Sequence, residues 1–384
     1  MSLRKFKTVA AVATAALLLG GLGACSSERD DNKGGEATSG AGETAAAPSD
    51  VTIGVAMPTR SLERWNKDGS QLESLLKDEG YKVDLQYADN KVDQQISQIQ
   101  NMINGGAKIL VIASIDGTAL APILATAKQQ DITVVAYDRL INESPDVDYY
   151  ATFDNYRVGQ MQGQYIEEAL DLKNAAGPFT LEPFAGSPDD NNAKFFFSGA
   201  WDVLLPYVES GKLTIPSGKS PASNDEWQSI GIMGWTSEAA QNEMTNRLNT
   251  YYAGGKKLDA VLSPNDSLAL GIAQALEGAG FSPDKGNYPI LTGQDGDQAN
   301  VLNIIAKKQS MTVWKDTREL AKRVAEMVKQ IVNGEEVKTD DSETYDNGVK
   351  KVPTALLDPV VVTADNIQDT LIASGFYSAD DLGL

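Results

Sequence analysis

The chain of 384 residues is long enough for two domains, and its apolar content of 42% and charged content of 22% are typical of globular proteins. Its formal net charge of −20 opposes nucleic-acid binding, which requires Lys and Arg side chains to neutralise phosphates. With no histidine and a single cysteine, the sequence excludes His-dependent catalytic triads, internal disulfides and zinc sites that need several thiolates.

The N-terminal region is predicted to be an export signal followed by a tether. Basic residues within 4–7 precede an apolar stretch at 9–19, which is too short for a transmembrane span. The small residues directly before Cys25 resemble the lipobox of bacterial lipoproteins. This resemblance implies removal of a signal peptide, 1–24, and lipidation of the Cys25 thiol, which would hold the exported chain on the outer face of the cytoplasmic membrane. Residues 25–50 then form a lipid anchor and a flexible tether rich in small and acidic residues.

From residue 51 onward, extended and helical patterns alternate along the chain. The continuous apolar run at 108–114 indicates a strand that is buried on both faces. Strands alternating with helices over about 310 residues predict parallel α/β sheets in two similar lobes. The predicted strands are 51–57, 83–88, 108–114, 132–138, 149–153, 179–184, 212–215, 229–235, 259–263, 289–293 and 311–314. The predicted helices include 118–130, 156–170, 192–208, 237–252, 267–279, 297–307 and a last long helix through Leu320 and Ile331.

Polar and aromatic side chains follow most of the predicted strands. Ligands of open α/β sheets bind beyond the carboxyl ends of the strands, so these side chains are expected to meet at one rim. Carboxylates accept hydrogen bonds from sugar hydroxyls, Arg and Asn donate to them, and an indole covers the apolar face of a sugar ring. The residues are Arg64, Trp65, Asp138, Arg139, Asp154, Asn155, Asp189, Asp190, Asn191, Asn192, Trp235, Asn265, Asp266, Gln294, Asp295 and Lys315.

Each of these residues also has an ordinary structural explanation when it is considered alone. The alternatives are a helix cap for Asp154 or Asp266, a surface ion pair for Asp138 and Arg139, a core position for Trp235 and a solvated loop position for Lys315. The prediction of a binding site therefore depends on many such residues collecting at one rim, which an enzyme could share.

Several strings at these segments resemble bacterial periplasmic sugar-binding proteins of the D-xylose-binding and multiple-sugar-binding type. They include RSLERWNKDG (60–69), VVAYDRLI (134–141), AGSPDDNNAKFFF (185–197), VLSPNDSLALG (261–271) and MTVWKDTRELA (311–321), and the resemblance spans roughly 51–370. It implies a type I periplasmic binding protein: an α/β fold of two similar lobes, each a parallel sheet flanked by helices, joined by a hinge of three crossovers that lets them close on an aldose.

The resemblance also implies the lobe boundaries and the contacts. The N-terminal lobe would comprise 51–154 and about 315–345, and the C-terminal lobe 155–314 and about 346–384. The implied sugar contacts are Arg64, Trp65, Asp138, Arg139, Asn192, Trp235, Asn265, Asp295 and Lys315, with Asp154, Asn191 and Asp266 as secondary candidates. The match is loosest around Trp235, because the loop before it, 216–228, departs from the family.

The function implied by the resemblance is that of a monomeric substrate-binding lipoprotein without cofactor or metal. It would bind an aldose such as xylose, glucose, galactose or arabinose and deliver it to an ABC transporter permease. An enzyme is disfavoured because the carboxylates alternate with Arg, Asn and Lys and no phosphate-cradling loop is evident. A repressor would need a helix-turn-helix where this chain has a signal and an acidic tether. The sequence does not separate import from chemotaxis or signalling, nor a pentose from a hexose.

Overall fold

The computed structural model of this protein describes residues 48–384, so the predicted signal peptide and Cys25 lie outside the described residues. Among the described residues, no helix is both long and apolar enough to cross a bilayer. The strands are β1 (Thr52–Met57), β2 (Lys82–Tyr87), β3 (Ile109–Ile112), β4 (Thr133–Tyr137), β5 (Tyr149–Phe153), β6 (Phe179–Pro183), β7 (Leu213–Thr214), β8 (Ala260–Leu262), β9 (Ile290–Leu291), β10 (Thr312–Trp314), β11 (Thr354–Leu357) and β12 (Val360–Val362). The α-helices are α1 (Glu63–Asp78), α2 (Val92–Asn104), α3 (Ala121–Lys128), α4 (Asn155–Ala169), α5 (Asn191–Glu209), α6 (Ser237–Tyr251), α7 (Asp266–Gly278), α8 (Gln298–Ile305), α9 (Thr317–Val332) and α10 (Ala379–Leu382).

The N-terminal lobe is built on a parallel sheet with the strand order β11-β5-β4-β3-β1-β2. Side chains of β1 alternate between its two faces, as the two-residue period of a strand requires. Ile53 and Val55 pack with α1 and α9, whereas Ala56 packs with α2 and α3. The helices therefore cover both faces, and the buried run of β3 lies between them, as its apolar sequence predicted.

The C-terminal lobe repeats this plan on a smaller scale. Its parallel sheet has the strand order β7-β6-β8-β9, and its core includes apolar residues of α4, α5, α6 and α7. Strand β10 pairs antiparallel with β12, and a bridge between Gln294 and Val313 joins β10 to the segment after β9. Two α/β lobes with parallel sheets confirm the predicted fold class.

The chain passes between the lobes three times, and the third passage differs from the prediction. The first passage lies between β5 and α4, the second between β10 and α9, and the third between β11 and β12. Strand β11 pairs with β5 in the N-terminal sheet, with Thr354 opposite Tyr150. The assignment of all residues after about 346 to the C-terminal lobe is therefore wrong for 354–357. The pairing partner of β11 is some 200 residues away, so no local pattern indicates it.

The predicted strand 229–235 is also wrong. This segment forms two short 3₁₀ helices, Asn224–Ile230 and Met233–Trp235, and only one bridge, from Gly231 to Ala185, connects it to the sheet. Gly234 and Trp235 have positive φ angles of 70° and 56°, which an extended strand does not allow. The alternating apolar residues Ile230 and Ile232 are buried in the core of the C-terminal lobe, but their backbone does not form a strand of the sheet.

Candidate functional site

The two lobes belong to one compact unit and enclose a cavity, here called the cleft cavity, of about 400 Å³ measured out to its mouth. All nine residues that the resemblance implied as sugar contacts line this cavity. The first and the last of them, Arg64 and Lys315, are more than 250 positions apart in the sequence. The lining residues are Leu62, Arg64, Trp65, Asp138, Arg139, Asp190, Asn192, Phe196, Trp235, Asn265, Ser267, Gln294, Asp295, Asp297 and Lys315. Their contact with a sugar stays a prediction.

Arg64 lies at the centre of a buried charge network in the first turn of α1. Its Nε and Nη2 both lie 2.9 Å from Asp68 Oδ2, one helical turn away. Nη2 also lies 3.0 Å from Asp138 Oδ2, and Nη1 lies 3.6 Å from Asp295 Oδ1 in the other lobe. The Tyr137 hydroxyl donates to Asp68 Oδ1 at 2.6 Å. Asp68 and Tyr137 thus fix the direction in which the guanidinium faces the cavity.

The pKa values in this network keep the cavity charged. Burial opposes the charged form of Arg64, but the surrounding carboxylates outweigh it and raise the pKa of Arg64 well above its usual value. Burial also acts to raise the pKa of Asp138, yet Arg64 and Lys315 outweigh it and the pKa is lowered. At Asp68 burial dominates and raises the pKa to about 6, against the attraction of Arg64. Asp138 therefore remains ionised at neutral pH and can accept hydrogen bonds.

A second charged pair joins the lobes on the other side of the cavity. Arg139 Nε lies 2.9 Å from Asp190 Oδ2, and Arg139 Nη1 donates to the Ser114 carbonyl at 3.0 Å. The Trp235 indole N–H donates to the same Asp190 Oδ2 at 3.1 Å. Burial raises the pKa of Asp190, and the attraction of Arg139 opposes the rise. Because Arg139 makes a buried pair across the cleft, the surface ion pair considered for Asp138 and Arg139 is excluded.

Asn192 and Lys315 complete the polar wall. Asn192 Nδ2 donates to the Asp138 carbonyl at 2.7 Å, and its Oδ1 accepts from the Tyr150 hydroxyl at 3.1 Å. Lys315 Nζ lies 3.1 Å from Asp295 Oδ1 and 3.9 Å from Asp138 Oδ2. With a side chain only 2% exposed, Lys315 is not a solvated loop lysine. It links carboxylates of both lobes directly after β10, where the chain crosses between them.

Trp65 and Trp235 both contribute apolar surface to the cleft cavity. Trp65 lies beneath the guanidinium groups of Arg64 and Arg139, whose Cζ atoms are 4.3 and 5.1 Å from its ring centroid. Among residues 48–384, neither the buried indole N–H of Trp65 nor the buried Oε1 of Gln294 has a hydrogen-bond partner. A buried polar atom without a partner costs free energy, so these atoms suit a ligand that can both donate and accept.

Three cavity residues have positive φ angles: Asp138 at 61°, Trp235 at 56° and Asp295 at 105°. Such conformations cost about 1–3 kcal/mol each and persist where the surroundings enforce them, commonly at functional sites. The Trp235 ring lies so close to Gly186 that any side chain at 186 would overlap it. The backbone is therefore strained at the positions that direct side chains into the cavity.

The secondary candidates do not line the cleft cavity. Asp154 Oδ1 accepts from the Arg157 amide at 2.9 Å and caps α4. Asn191 faces an exposed groove at the cleft edge. Asp266 is fully buried, and its Oδ2 accepts from the amides of Gly296 and Asp297, each at 3.0 Å. Burial raises its pKa well above the usual value. These placements favour structural roles for Asp154, which caps α4, and for Asp266, which supports the Asp295 loop. A sugar contact of Asp154, Asn191 or Asp266 stays a prediction.

Asn265 is both a cavity residue and a helix cap, because it lines the cleft cavity and its Oδ1 accepts from the Leu268 amide at 3.0 Å, capping α7.

Six residues that line the cleft cavity were not among the sugar contacts implied by the resemblance. Asp190 and Gln294 belonged to the predicted rim but not to the implied contacts. No sequence signal distinguished the remaining four, which are Leu62, Phe196, Ser267 and Asp297. Among the described residues, no group of three or more acidic or thiol side chains is arranged to hold a metal ion.

Residues 53–336 match the family model of the periplasmic binding protein domain. The chain is 47% identical to a multiple sugar-binding periplasmic protein of Azospirillum brasilense, over 85% of this chain and 90% of the relative. It is 40% identical to the D-xylose-binding periplasmic protein of Escherichia coli K12, over 88% and 94%. A solved ABC transporter solute-binding protein from Clostridium phytofermentans with bound β-D-glucose is 52% identical, with a TM-score of 0.82 over 86% and 99%.

A second solved structure has the same arrangement at lower identity. It is a carbohydrate transporter solute-binding protein from Chloroflexus aurantiacus in complex with D-glucose, 34% identical, with a TM-score of 0.77 over 86% of this chain and 97% of that one. The relatives named here are binding proteins, which confirms the prediction that this chain is not an enzyme. The similarity covers both lobes and the cleft between them.

Proposed function

Because this chain belongs to the periplasmic binding protein family, we propose that it captures an aldose monosaccharide between its lobes for a carbohydrate ABC importer. It would deliver the closed, loaded form to a membrane permease. The relatives with glucose bound, and those named for multiple sugars or D-xylose, support this class of ligand. The proposal places the bound sugar in the cleft cavity of this chain.

One observation carries the proposal: opposite charges from both lobes are buried around one small cavity. Arg64 approaches Asp295, and Arg139 approaches Asp190, across the cleft. Charged hydrogen-bonding groups bind neutral hydroxyls strongly, while their mutual pairing limits the cost of burying them. The Trp65 face supplies the apolar complement to a sugar ring. The lobes must separate for the ligand to enter, and closure then removes it from water.

The lipid anchor is part of the same proposal. Cys25 and the preceding signal support attachment to the outer face of the cytoplasmic membrane. Residues 26–49 separate Cys25 from the binding domain, so the anchored chain would meet a permease in the same membrane. We expect a monomer, because one chain supplies every residue of the cleft cavity.

The test is a thermal-shift screen followed by calorimetry on the exported chain from residue 26 onward. Glucose, galactose, xylose and arabinose are the positive panel, and a disaccharide and an inositol are the comparison ligands. A ligand that binds only the folded state raises the melting temperature. Binding of one or more aldoses with 1:1 stoichiometry supports the proposal. The proposal is contradicted if the chain binds none of the aldoses but binds another ligand.

Delivery and anchoring need separate tests in cells. Deleting the gene should abolish high-affinity uptake of the identified radiolabelled sugar, and uptake that is unchanged would favour a sensory role instead. Metabolic labelling with a fatty-acid probe should mark the parent chain, whereas Cys25→Ser should remove the label and release the protein from membranes.

A further inference from the structure

The C-terminal segment, 374–382, reaches from one lobe to the other at the edge of the cleft. It is anchored on the C-terminal lobe, where Tyr377 and Leu382 pack in a core cluster with Trp314. Phe376 packs edge-on against Trp314, with ring centroids 5.3 Å apart. The segment is also fixed by its own capping box, in which Ser378 and Asp381 exchange hydrogen bonds.

From this anchor the Tyr377 hydroxyl makes contacts in both lobes. It donates to the Gly296 carbonyl at 2.9 Å, next to the cavity residue Asp295. It accepts from Lys67 Nζ at 2.8 Å, and Lys67 belongs to α1 of the N-terminal lobe. Lys67 Nζ is 2.6 Å from Glu63 Oε1, which itself lies 3.3 Å from the hydroxyl. The ammonium also lies 4.4 Å from the Tyr377 ring centroid.

These contacts surround a buried hydroxyl, since Tyr377 is 6% exposed, and they span the cleft next to two cavity residues. Arg64 follows Glu63 directly in α1, and Asp295 precedes Gly296 in its loop. Neither Tyr377, Lys67 nor Glu63 lines the cleft cavity. The bonds therefore hold the Arg64 wall against the Asp295 wall without occupying the space of a ligand.

We propose that Tyr377, with Lys67 and Glu63, is a closure latch that positions the two walls of the cleft cavity, and this rests on the proposed function. Separating the lobes breaks the Lys67–Tyr377 contact, so the latch favours the closed form whether or not a sugar is bound. A binding-competent state that is more populated raises the apparent affinity in proportion. The latch is a positioning device, so it increases the affinity for every sugar by the same factor.

The decisive variant is Tyr377→Phe, which removes the hydroxyl and keeps the ring in the core. One net hydrogen bond corresponds to a loss of about 3–10-fold in affinity. Calorimetry with glucose and with xylose should give the same factor for both sugars, arising mainly from faster dissociation. Small-angle scattering of the ligand-free chain should give a larger radius of gyration for the variant than for the parent.

Two further variants sharpen the test. Lys67→Met removes the partner in the other lobe, and Tyr377→Phe should have a much smaller effect in that background than alone. Tyr207→Phe is the matched control, because its hydroxyl donates to Glu167 at 2.6 Å within the C-terminal lobe. That control should change neither the radius of gyration nor the affinity.

The outcomes separate the latch from the proposed function. If the parent binds no aldose, the proposed function fails, and the ligand-free scattering of the Tyr377→Phe variant alone decides the latch. The latch is overturned if Tyr377→Phe leaves the radius of gyration and the affinities unchanged, or if its effects match those of Tyr207→Phe. Losses that differ between glucose and xylose would also overturn it, because they would mean contact with the sugar.

Discussion

Arg64 and Arg247 are both buried among carboxylates, but of these two only Arg64 lines the cleft cavity. Arg247 in the C-terminal lobe is 2% exposed, with Nη1 at 3.1 Å from Glu182 Oε2 and Nε at 2.8 Å from Glu243 Oε1. Its Nη1 also donates to the Pro183 carbonyl at 2.8 Å, and its guanidinium lies over Phe184. Arg64 in the N-terminal lobe is 7% exposed and has a comparable number of acidic neighbours.

The difference lies in what else the carboxylates bind. Glu182 Oε1 is already occupied by the Tyr252 hydroxyl at 2.8 Å and the Ser217 amide at 3.2 Å, so the Arg247 cluster is closed within one lobe. The carboxylates near Arg64 come from both lobes, and two of them, Asp138 and Asp295, line the cleft cavity. Buried charge alone therefore does not indicate a binding site, and the proposal for the cleft cavity depends on charge that both lobes share around it.

The largest effect is expected from breaking the closed cluster. Arg247→Met leaves Glu182 buried without its cation, and such a loss typically destabilises a protein by about 3–5 kcal/mol. Urea unfolding should show this loss, while the folded fraction binds sugar within about twofold of the parent. Replacing both partners, as Arg247→Met with Glu182→Leu, should recover part of the stability. A strong loss of affinity in Arg247→Met would remove the distinction between the two clusters.

The corresponding change at the cleft should act on affinity. Arg139→Ala removes charged hydrogen bonds at the cavity, and the expected cost is about 1.5–3 kcal/mol of binding free energy, or roughly 10–150-fold. Arg139→Lys keeps the charge but loses the planar fork, so its affinity should be intermediate. Calorimetry measures both variants. Unchanged affinity in Arg139→Ala would mean that the sugar binds elsewhere.

A third test uses the pH dependence of stability at the cavity mouth. Burial and the nearby Asp295 and Glu63 raise the pKa of Asp297 to about 8, from an ordinary 3.8, against the attraction of Lys67. Since the folded state holds this proton more tightly than the unfolded state, Asp297 lowers stability progressively as the pH rises from about 4 to 8. Asp297→Asn keeps the size and shape of the side chain at the N-cap position of α8 and cannot ionise.

The variant should therefore melt several degrees higher than the parent above pH 8, and the difference should shrink towards pH 4. Thermal denaturation at pH 5, 7 and 9 measures it. A difference that stays constant over this range would mean that Asp297 ionises in the folded state as it does in the unfolded state.

The smallest effect is expected where a predicted contact is a helix cap instead. Asp154→Ala removes the acceptor for the Arg157 amide at the start of α4, and it should cost about 1 kcal/mol of stability. Asp154→Ser restores a capping oxygen and should recover most of that loss. Because Asp154 does not line the cleft cavity, sugar affinity should be unchanged within error. A tenfold loss of sugar affinity in Asp154→Ser would mean that Asp154 takes part in sugar binding.

Most of the local structure, and the resemblance to the family, follow from the sequence alone. Apolar period and strand–helix alternation predicted most of the elements, because helix and strand patterns are local and burial selects them. The strings around Arg64, Asp138 and Lys315 identified nine residues that lie together in the cleft cavity. Those strings carried that information through resemblance, since composition alone left a cap or a core position open for several of them.

Features that depend on partners far away in the chain are visible only in the folded structure. The pairing of β11 with β5 placed 354–357 in the N-terminal lobe, because strand pairing is set by the register between distant segments. Asp266 and Asp190 both follow predicted strands. In the folded structure, however, the Asp266 side chain is buried behind the Asp295 loop, whereas Asp190 lines the cleft cavity. The contact of Tyr377 with Lys67, 310 positions apart, is not indicated by the local sequence, because the packing of the two lobes brings the side chains together.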